Sequence, residues 1–287
     1  MLTLLFDGVA YGMLLFMLAV GLAVTMGLMN FINLAHGAFA MLGGYAMVVM
    51  TQRLGVPFLA TLPIAFVLTG ALGAAAERLL YRPMYARPHL DQVLFSIGLV
   101  LMTVTGVDYL MGSQQQPVDI PAWLQGRFDF ALVGIGKYRL FIVLLCGVLA
   151  FALQALLTRT RFGSRLRAAV DDARVARGLG IDVNKVFLLT FAVGSGLAGL
   201  GGALGAEVLG LDPSFPLKFM IYFLVVVAVG GTTTITGPLA AALLLGVADV
   251  MGKYYVPKMG SFIVYVLMIV ILLVRPQGLF VRKGAGR

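Results

Sequence analysis

Charge is the scarcest feature of this 287-residue chain. Only 11% of its residues are Asp, Glu, Lys or Arg, whereas 61% are hydrophobic, and the mean hydropathy is +1.00. A soluble domain carries roughly 25% charged residues. A chain with so little charge cannot cover a water-facing surface with polar groups, so much of its solvent should be lipid. The composition therefore excludes an ordinary soluble globule and predicts an integral membrane protein.

Residue types that build catalytic centres are also few. The chain has one cysteine, Cys146, which cannot form an internal disulfide, and two histidines, His36 and His89, which lie far apart. It has no HExxH motif, no cysteine–histidine pair and no pair of facing carboxylates. It also lacks the Gly-Lys-Ser/Thr of a P-loop, so it has no visible means of using ATP itself. We predict no catalytic residues, no metal site and no cofactor bound by this chain.

The apolar residues occur in long runs that contain no charge. These runs are residues 8–52, 54–76, 92–107, 140–158, 186–206, 219–248 and 259–274. Backbone groups in hydrocarbon must be paired within their own segment, which favours helices. The alternation of period two that is typical of a transmembrane barrel is not seen. We therefore predict an all-α polytopic membrane protein with a single transmembrane domain over residues 1–287.

Two of these runs are too long for one span. The run 8–52 is divided by a polar break at 29–33. As one helix, 219–248 would be about 45 Å long, whereas the hydrocarbon core is about 30 Å thick. Its middle, GGTTTITGP at 230–238, is poor helix material. We predict interrupted segments at 29–33 and 230–237, and eight or nine membrane helices in all.

The basic residues indicate an orientation. A net charge of +9 could suggest nucleic acid, but the charges lie in loops between apolar runs, so no nucleic-acid partner is expected. The loops 77–92 and 158–185 and the tail 275–287 hold 14 of the 21 Lys and Arg residues. Such loops are usually cytoplasmic and contact membrane lipid. We predict an external N-terminus, a cytoplasmic C-terminus and an external loop at about 112–139.

Polar side chains within the charge-free runs form two candidate sets of pathway residues. The first set lies at the first break: Asn30, Asn33 and His36. The second set lies at the second break: Thr232, Thr233 and Thr234. On a helix, Asn33 and His36 would share one face. Polar groups at such depth usually face the bundle interior or a water-filled pathway, although they also join helices by hydrogen bonds, and the first set could instead lie in a loop outside the membrane. At the second break, the free backbone groups and hydroxyls of a discontinuous helix would face a pathway. These interpretations stay open.

The acidic residues nearest the spans are at their predicted ends: Glu77, Asp108, Glu207 and Asp249. No carboxylate is predicted at mid-span. Proton-driven carriers use intramembrane carboxylates, so this distribution counts against a carrier of that kind.

The basic loop at about 158–185 is long for a turn and has a helix-like middle that stops at Gly178 and Gly180. It could be an anchor on lipid headgroups or a docking helix for a cytoplasmic partner. The residues singled out as a coupling set are Arg165, Arg167, Asp171, Asp172, Arg174, Arg177, Gly180 and Asp182.

Four motifs resemble those of permeases in branched-chain amino-acid ABC transporters of the LivH type. They are GLMNFINLAHG at 27–37 with GGY at 43–45, the segment 167–182 followed by a helix rich in small residues, the GG and GP of 230–238, and RPQGLF at 275–280. They occur in the expected order over nearly the whole chain.

The resemblance implies an ABC importer permease-like bundle in a bacterial inner membrane. Its partners would be a homologous LivM-type permease, two cytoplasmic ATP-binding subunits that hydrolyse the ATP, and a periplasmic substrate-binding protein. The coupling set would contact an ATPase, and Asn30, Asn33 and His36 would lie near the translocation pathway. The solute would be a branched-chain or hydrophobic amino acid, or urea, a short amide or an organic acid. A self-sufficient secondary carrier and a passive channel stay open as alternatives.

Overall fold

The computed structural model describes residues 1–29, 31, 33–85, 87–130, 133–231, 234–275 and 278. Within these residues the chain forms eleven α-helices: α1 Leu2–Met29, α2 His36–Gln52, α3 Phe58–Ala76, α4 His89–Met111, α5 Lys137–Arg159, α6 Arg161–Asp171, α7 Ala173–Gly178, α8 Val183–Leu209, α9 Phe215–Gly230, α10 Thr236–Tyr255 and α11 Gly260–Val274. A π-helical turn, Glu77–Tyr81, and a 3-10 turn, Arg82–Met84, continue α3.

Six of the described helical segments are long and apolar enough to cross a membrane. They include α1, α4, α5, α8, α10 and the segment Phe58–Met84. The apolar segments Phe215–Gly230 and Phe262–Val274 are shorter, and α2 has 17 residues. The structure confirms a polytopic helical membrane bundle. The count of eight or nine crossings stays a prediction, because it depends on whether the three shorter helices also cross.

Both predicted interruptions are found. The first separates the end of α1 at Met29 from the start of α2 at His36. The second separates the end of α9 at Gly230 from the start of α10 at Thr236. At the second break Gly231 has φ +79°, a left-handed conformation that favours glycine and ends the helix.

Helix α8 lies between three other helices, and its small residues let each of them approach closely. It packs against α1, α2 and α3. A β-carbon on Gly202 would overlap the carbonyl oxygen of Ala40 in α2, and one on Gly199 would overlap the side chain of Thr69 in α3. Gly194 lies against Gly21 of α1. The small residues of α8 therefore serve close helix packing.

The bundle has two ends that carry different loops. The coupling-loop end carries the first break, α6 and α7. The hairpin end carries an antiparallel hairpin of two strands, β1 Arg127–Phe130 and β2 Val133–Gly136, with Arg127 opposite Gly136. The sequence analysis did not anticipate this hairpin within the predicted all-α fold. It belongs to the loop 112–139, whose other contacts include Gln116 with Leu211 at the start of the α8–α9 loop.

Candidate functional site

Asn33 lies in the first break and is fully buried. Its Oδ1 accepts hydrogen bonds from the backbone N–H of Ala35 (3.1 Å) and from the hydroxyl of Tyr81 (3.1 Å). Its Nδ2 has no hydrogen-bond partner among the described residues. Asn33 thus ties the break to the end of the segment Phe58–Met84, and one of its donors has no partner among the described residues.

His36 is the first residue of α2 and is also buried. Its ring lies so close to Gly21 of α1 that a β-carbon there would overlap ring atom Cε1. Its Nε2, like the free donor of Asn33, finds no partner among the described residues. Because Asn33 precedes α2, the expectation that Asn33 and His36 share one face of a helix is wrong: the polar break ends just before the helix begins.

Tyr81 was missed by the sequence analysis, although it is the direct partner of Asn33. It is fully buried within a cluster of aromatic rings, where Phe31 and Phe95 meet it edge-on and Phe191 lies 4.8 Å from it between centroids. The sequence analysis placed Tyr81 in the basic loop 77–92 and gave it no role. It is buried because the helical segment Phe58–Met84 continues past it.

Thr234 is the described residue of the second threonine set. Its Oγ1 accepts a hydrogen bond from the N–H of Gly237 in the first turn of α10 (3.3 Å). It also lines a cavity of about 180 Å³ at the coupling-loop end, together with Ala23 and Val24 of α1. The other predicted pathway residues, Asn30, Thr232 and Thr233, lie outside the described residues.

The same cavity is lined by residues of the coupling loop and of the helix before it. These residues are Gln154, Leu157, Thr158, Gly163, Leu166 and Arg167. The structure therefore brings Arg167, from the predicted coupling set, to the cavity that Thr234 lines. Gln154 and Thr158 were not singled out in the sequence, where they read only as the polar end of a span.

Two side-chain hydrogen bonds and a close backbone contact hold the joint between α5 and α6. The N–H of Gly163 donates to Oγ1 of Thr160, which caps α6 (3.3 Å), and the guanidinium of Arg167 donates to the carbonyl of Leu157. A β-carbon on Gly163 would overlap that same carbonyl group. Arg167 therefore fixes the angle between two helices, a local role that its charge alone does not indicate.

Three further members of the coupling set shape the loop. Oδ1 of Asp172 accepts from the N–H groups of Arg174 (2.8 Å) and Val175 (3.0 Å) and caps α7. Gly180, with φ +79°, ends the turn after α7. Asp182 caps α8 by accepting from the N–H of Lys185, and this hydrogen bond, aided by the side chain of Lys185, lowers the pKa of Asp182.

The remaining members of the coupling set, Arg165, Asp171, Arg174 and Arg177, are exposed. Two large apolar side chains beside them are also exposed, Val175 (57%) and Leu179 (75%). The opposite faces of α6 and α7 are buried, with Leu166, Ala169 and Ala176 in a small core of their own. The loop is therefore a folded platform with a charged and partly apolar outer face.

Comparison with known proteins identifies the family. The sequence model of the family described as branched-chain amino acid transport system / permease component matches residues 4–272 of this chain. The chain is 27% identical to the high-affinity branched-chain amino acid transport system permease protein BraD of Pseudomonas aeruginosa, covering 97% of this chain and 95% of that protein. It is also 27% identical to LivH of Escherichia coli, covering 97% and 94%.

A more distant relative is the autoinducer 2 import system permease protein LsrC of Yersinia enterocolitica, which is 26% identical over 82% of this chain and 64% of that protein. No solved structure gives a significant match. The family match covers all eleven described helices apart from the first two residues of α1 and the last two of α11. The chain belongs to the family of permease components of branched-chain amino acid transport systems.

Proposed function

We propose that this permease is the translocating subunit of an ATP-driven importer for branched-chain amino acids. The observation that carries the proposal is the family match over residues 4–272, together with the absence of a P-loop from the sequence. A permease of an ABC system works with ATPase and binding-protein partners. Here we propose two cytoplasmic ATP-binding subunits, a LivM-type second permease and a periplasmic binding protein, in a bacterial inner membrane.

We infer that the ATPase docks on the outer face of α6 and α7. Arg165, Arg174 and Arg177 are exposed there beside Val175 and Leu179. Exposed apolar side chains surrounded by charge are the usual make-up of a protein-binding surface. The close contact of Gly163 with the carbonyl of Leu157 would carry a displacement of this face to the end of α5. Arg167 and Thr234 line one cavity, so the movement would reach the second break.

The polar groups at the first break support a place near the pathway. Nδ2 of Asn33 and Nε2 of His36 are buried and lack partners among the described residues. Buried polar groups in proteins are nearly always satisfied, so unpaired ones need an explanation. Rearrangement of the break during transport would give these groups partners in another state. Asn30, Thr232 and Thr233 are proposed as pathway residues on their position in the sequence alone.

A secondary carrier is the main alternative to the ATP-driven importer. A proton-driven carrier would use carboxylates within the membrane, so the buried carboxylates help to distinguish the two. Glu77 and Asp249, which the sequence analysis put at span ends, are both buried within helical segments. Glu77 accepts from the hydroxyl of Tyr85 (3.0 Å), and Asp249 pairs with Lys253 (2.6 Å). Both carboxylates therefore have partners that stabilise them in place, which favours a structural role over proton coupling.

The testing experiment is purification of the tagged permease from its native membrane in mild detergent, followed by reconstitution in liposomes with labelled leucine. We expect a second permease and two P-loop ATPases to co-purify, and leucine uptake to require ATP and the binding protein. If the chain purifies alone and moves solute without ATP, the protein is a secondary carrier or a channel. If the ATPases co-purify but leucine, isoleucine and valine are not taken up, the ATP-driven importer would still be supported and the proposed substrate would be wrong.

A further inference from the structure

Two cavities at the hairpin end share the side chains of Asp7, Arg139 and Val208. The larger, about 470 Å³, is here called the vestibule and lies beneath the loop that contains the hairpin. The smaller, about 100 Å³, is here called the apolar pocket and lies farther along α1 and α5, towards the middle of the bundle. Asp7 and Arg139 line both cavities, so their ion pair lies between the two.

The vestibule contains balanced charge. Two carboxylates, Asp7 and Glu207, face two guanidinium groups, Arg127 and Arg139. Oδ2 of Asp7 pairs with Arg139, whereas its Oδ1 is buried and has no hydrogen-bond partner among the described residues. A simple anion or cation would meet as much repulsion as attraction here. A zwitterion would find a partner for each of its charges.

The apolar pocket has the character that a short branched alkyl group requires. Apart from the ion pair and Tyr11, its lining is aliphatic: Ala10, Leu14, Ile142, Val208 and Val250. A dry cavity of roughly 150 Å³ lined by such side chains can bind a molecule the size of benzene. The apolar pocket is somewhat smaller, which suits a branched chain of a few carbon atoms better than an aromatic ring.

We propose that the ion pair and the apolar pocket together form a receiving site for a small amino acid with a branched aliphatic side chain. The ammonium group would bind the carboxylate of Asp7, and the carboxylate of the amino acid would bind the N–H groups of Arg139, which has five donors. The side chain would enter the apolar pocket below. The inference rests on the proposed function, because it assigns to the importer's solute a site on this subunit.

The test is protection of a thiol placed in the apolar pocket. Val250→Cys in the complete transporter is treated with a small methanethiosulfonate reagent, and the mass of the chain is followed. Cys146, the one native cysteine, is fully buried and should not react. We expect leucine to slow the modification by about tenfold at a concentration near ten times its Kd. Leucinamide lacks the carboxylate and 4-methylvalerate lacks the ammonium group, so neither should protect at that concentration.

A second variant identifies the group that binds the carboxylate. Arg139→Gln in the Val250→Cys background should raise the leucine concentration needed for protection by about tenfold or more, since a charged hydrogen bond is lost. Lys258→Gln removes the same charge from the exposed loop between α10 and α11 and lines neither cavity. It should leave protection unchanged.

The outcomes separate this inference from the proposed function. If the unmodified transporter takes up leucine but leucine does not protect Val250→Cys, the receiving site is wrong and the importer stands. Equal protection by leucine and leucinamide would overturn the assignment of Arg139. If the unmodified transporter takes up no branched-chain amino acid, the proposed substrate itself is wrong.

Discussion

At the scale of single residues, the hydroxyl of Tyr81 directly links the first break to the segment Phe58–Met84. Tyr81→Phe removes its hydrogen bond to Oδ1 of Asn33 and keeps the ring in its aromatic cluster. Buried side-chain hydrogen bonds in membrane proteins are worth about 0.6 kcal/mol on average, so a small loss of stability is expected. Thermal unfolding in detergent measures it. Tyr109→Phe, at a side chain that is 89% exposed, is the matched control and should change nothing.

Gly202 sets the separation of α2 and α8. Gly202→Ala would place a methyl group on the carbonyl of Ala40, and the two helices would have to move apart. Overpacking of this kind costs about 1–3 kcal/mol. Gly98→Ala in α4 is the control, because no atom beyond the neighbouring backbone of its own helix lies within 4 Å of the added carbon among the described residues. The change should be neutral or stabilising by up to about 1 kcal/mol. Equal thermal stability of the two variants would contradict the close contact of α2 with α8.

At the scale of elements, α6 and α7 separate two roles that the sequence combines in one basic loop. All three arginines are exposed, but Arg167 donates to a backbone carbonyl at the end of α5 and so holds α6 there, whereas Arg174 and Arg177 lie on α7. A charge reversal at Arg167 would therefore disturb the fold as well as any docking. The sequence could not distinguish these arginines, since the distinction depends on which carbonyl group lies within reach after folding.

We predict that Arg174→Glu with Arg177→Glu lowers ATP-driven uptake at least about tenfold by weakening ATPase docking, since reversing two interface charges costs several kcal/mol. The permease should keep its thermal stability. Arg53→Glu with Lys258→Glu changes the charge by the same amount at the hairpin end and should leave the amount of co-purifying ATPase unchanged. The measurement is uptake together with the amount of ATPase retained during purification. Full retention of the ATPase in the α7 variant would exclude α7 as its docking surface.

The breaks show which elements a sequence can specify. The end of α9 and the start of α10 follow from Gly230, Gly231 and Pro238, whose backbone preferences act locally. Glycine likewise predicted where α7 ends, at Gly178, and where the turn after it ends, at Gly180. The hairpin from Arg127 to Gly136 was missed, because two strands of four residues in a loop have no local signal as strong as a charge-free run.

At the scale of the whole molecule, candidate sites form where distant elements meet. Asp7 and Arg139 are 132 positions apart in sequence, and Arg167 and Thr234 are 67 apart, yet each pair shares a cavity. Composition and motifs could predict the family and the polytopic fold. They could not predict these pairings, which depend on how α5 and α10 pack against α1. Hydropathy also gave no sign that Leu14 to Val20 of α1 would lie at the centre of the bundle, where each is fully buried or nearly so.

Orientation is the property of the whole molecule that the proposed function most requires. If the coupling-loop end is cytoplasmic, a cysteine at Arg165, in a permease expressed without its ATPase partners, should react with a membrane-impermeant maleimide only in inverted vesicles. A cysteine at Arg53 should react only in right-side-out vesicles. Both positions are exposed, and they lie on loops at opposite ends of the bundle. Cys146 is buried in α5, so the unmodified chain is the blank. The opposite labelling pattern would place α6 and α7 outside, where no ATPase could reach them. It would contradict the docking surface on α7, and also the orientation predicted from the excess of Lys and Arg in the loops.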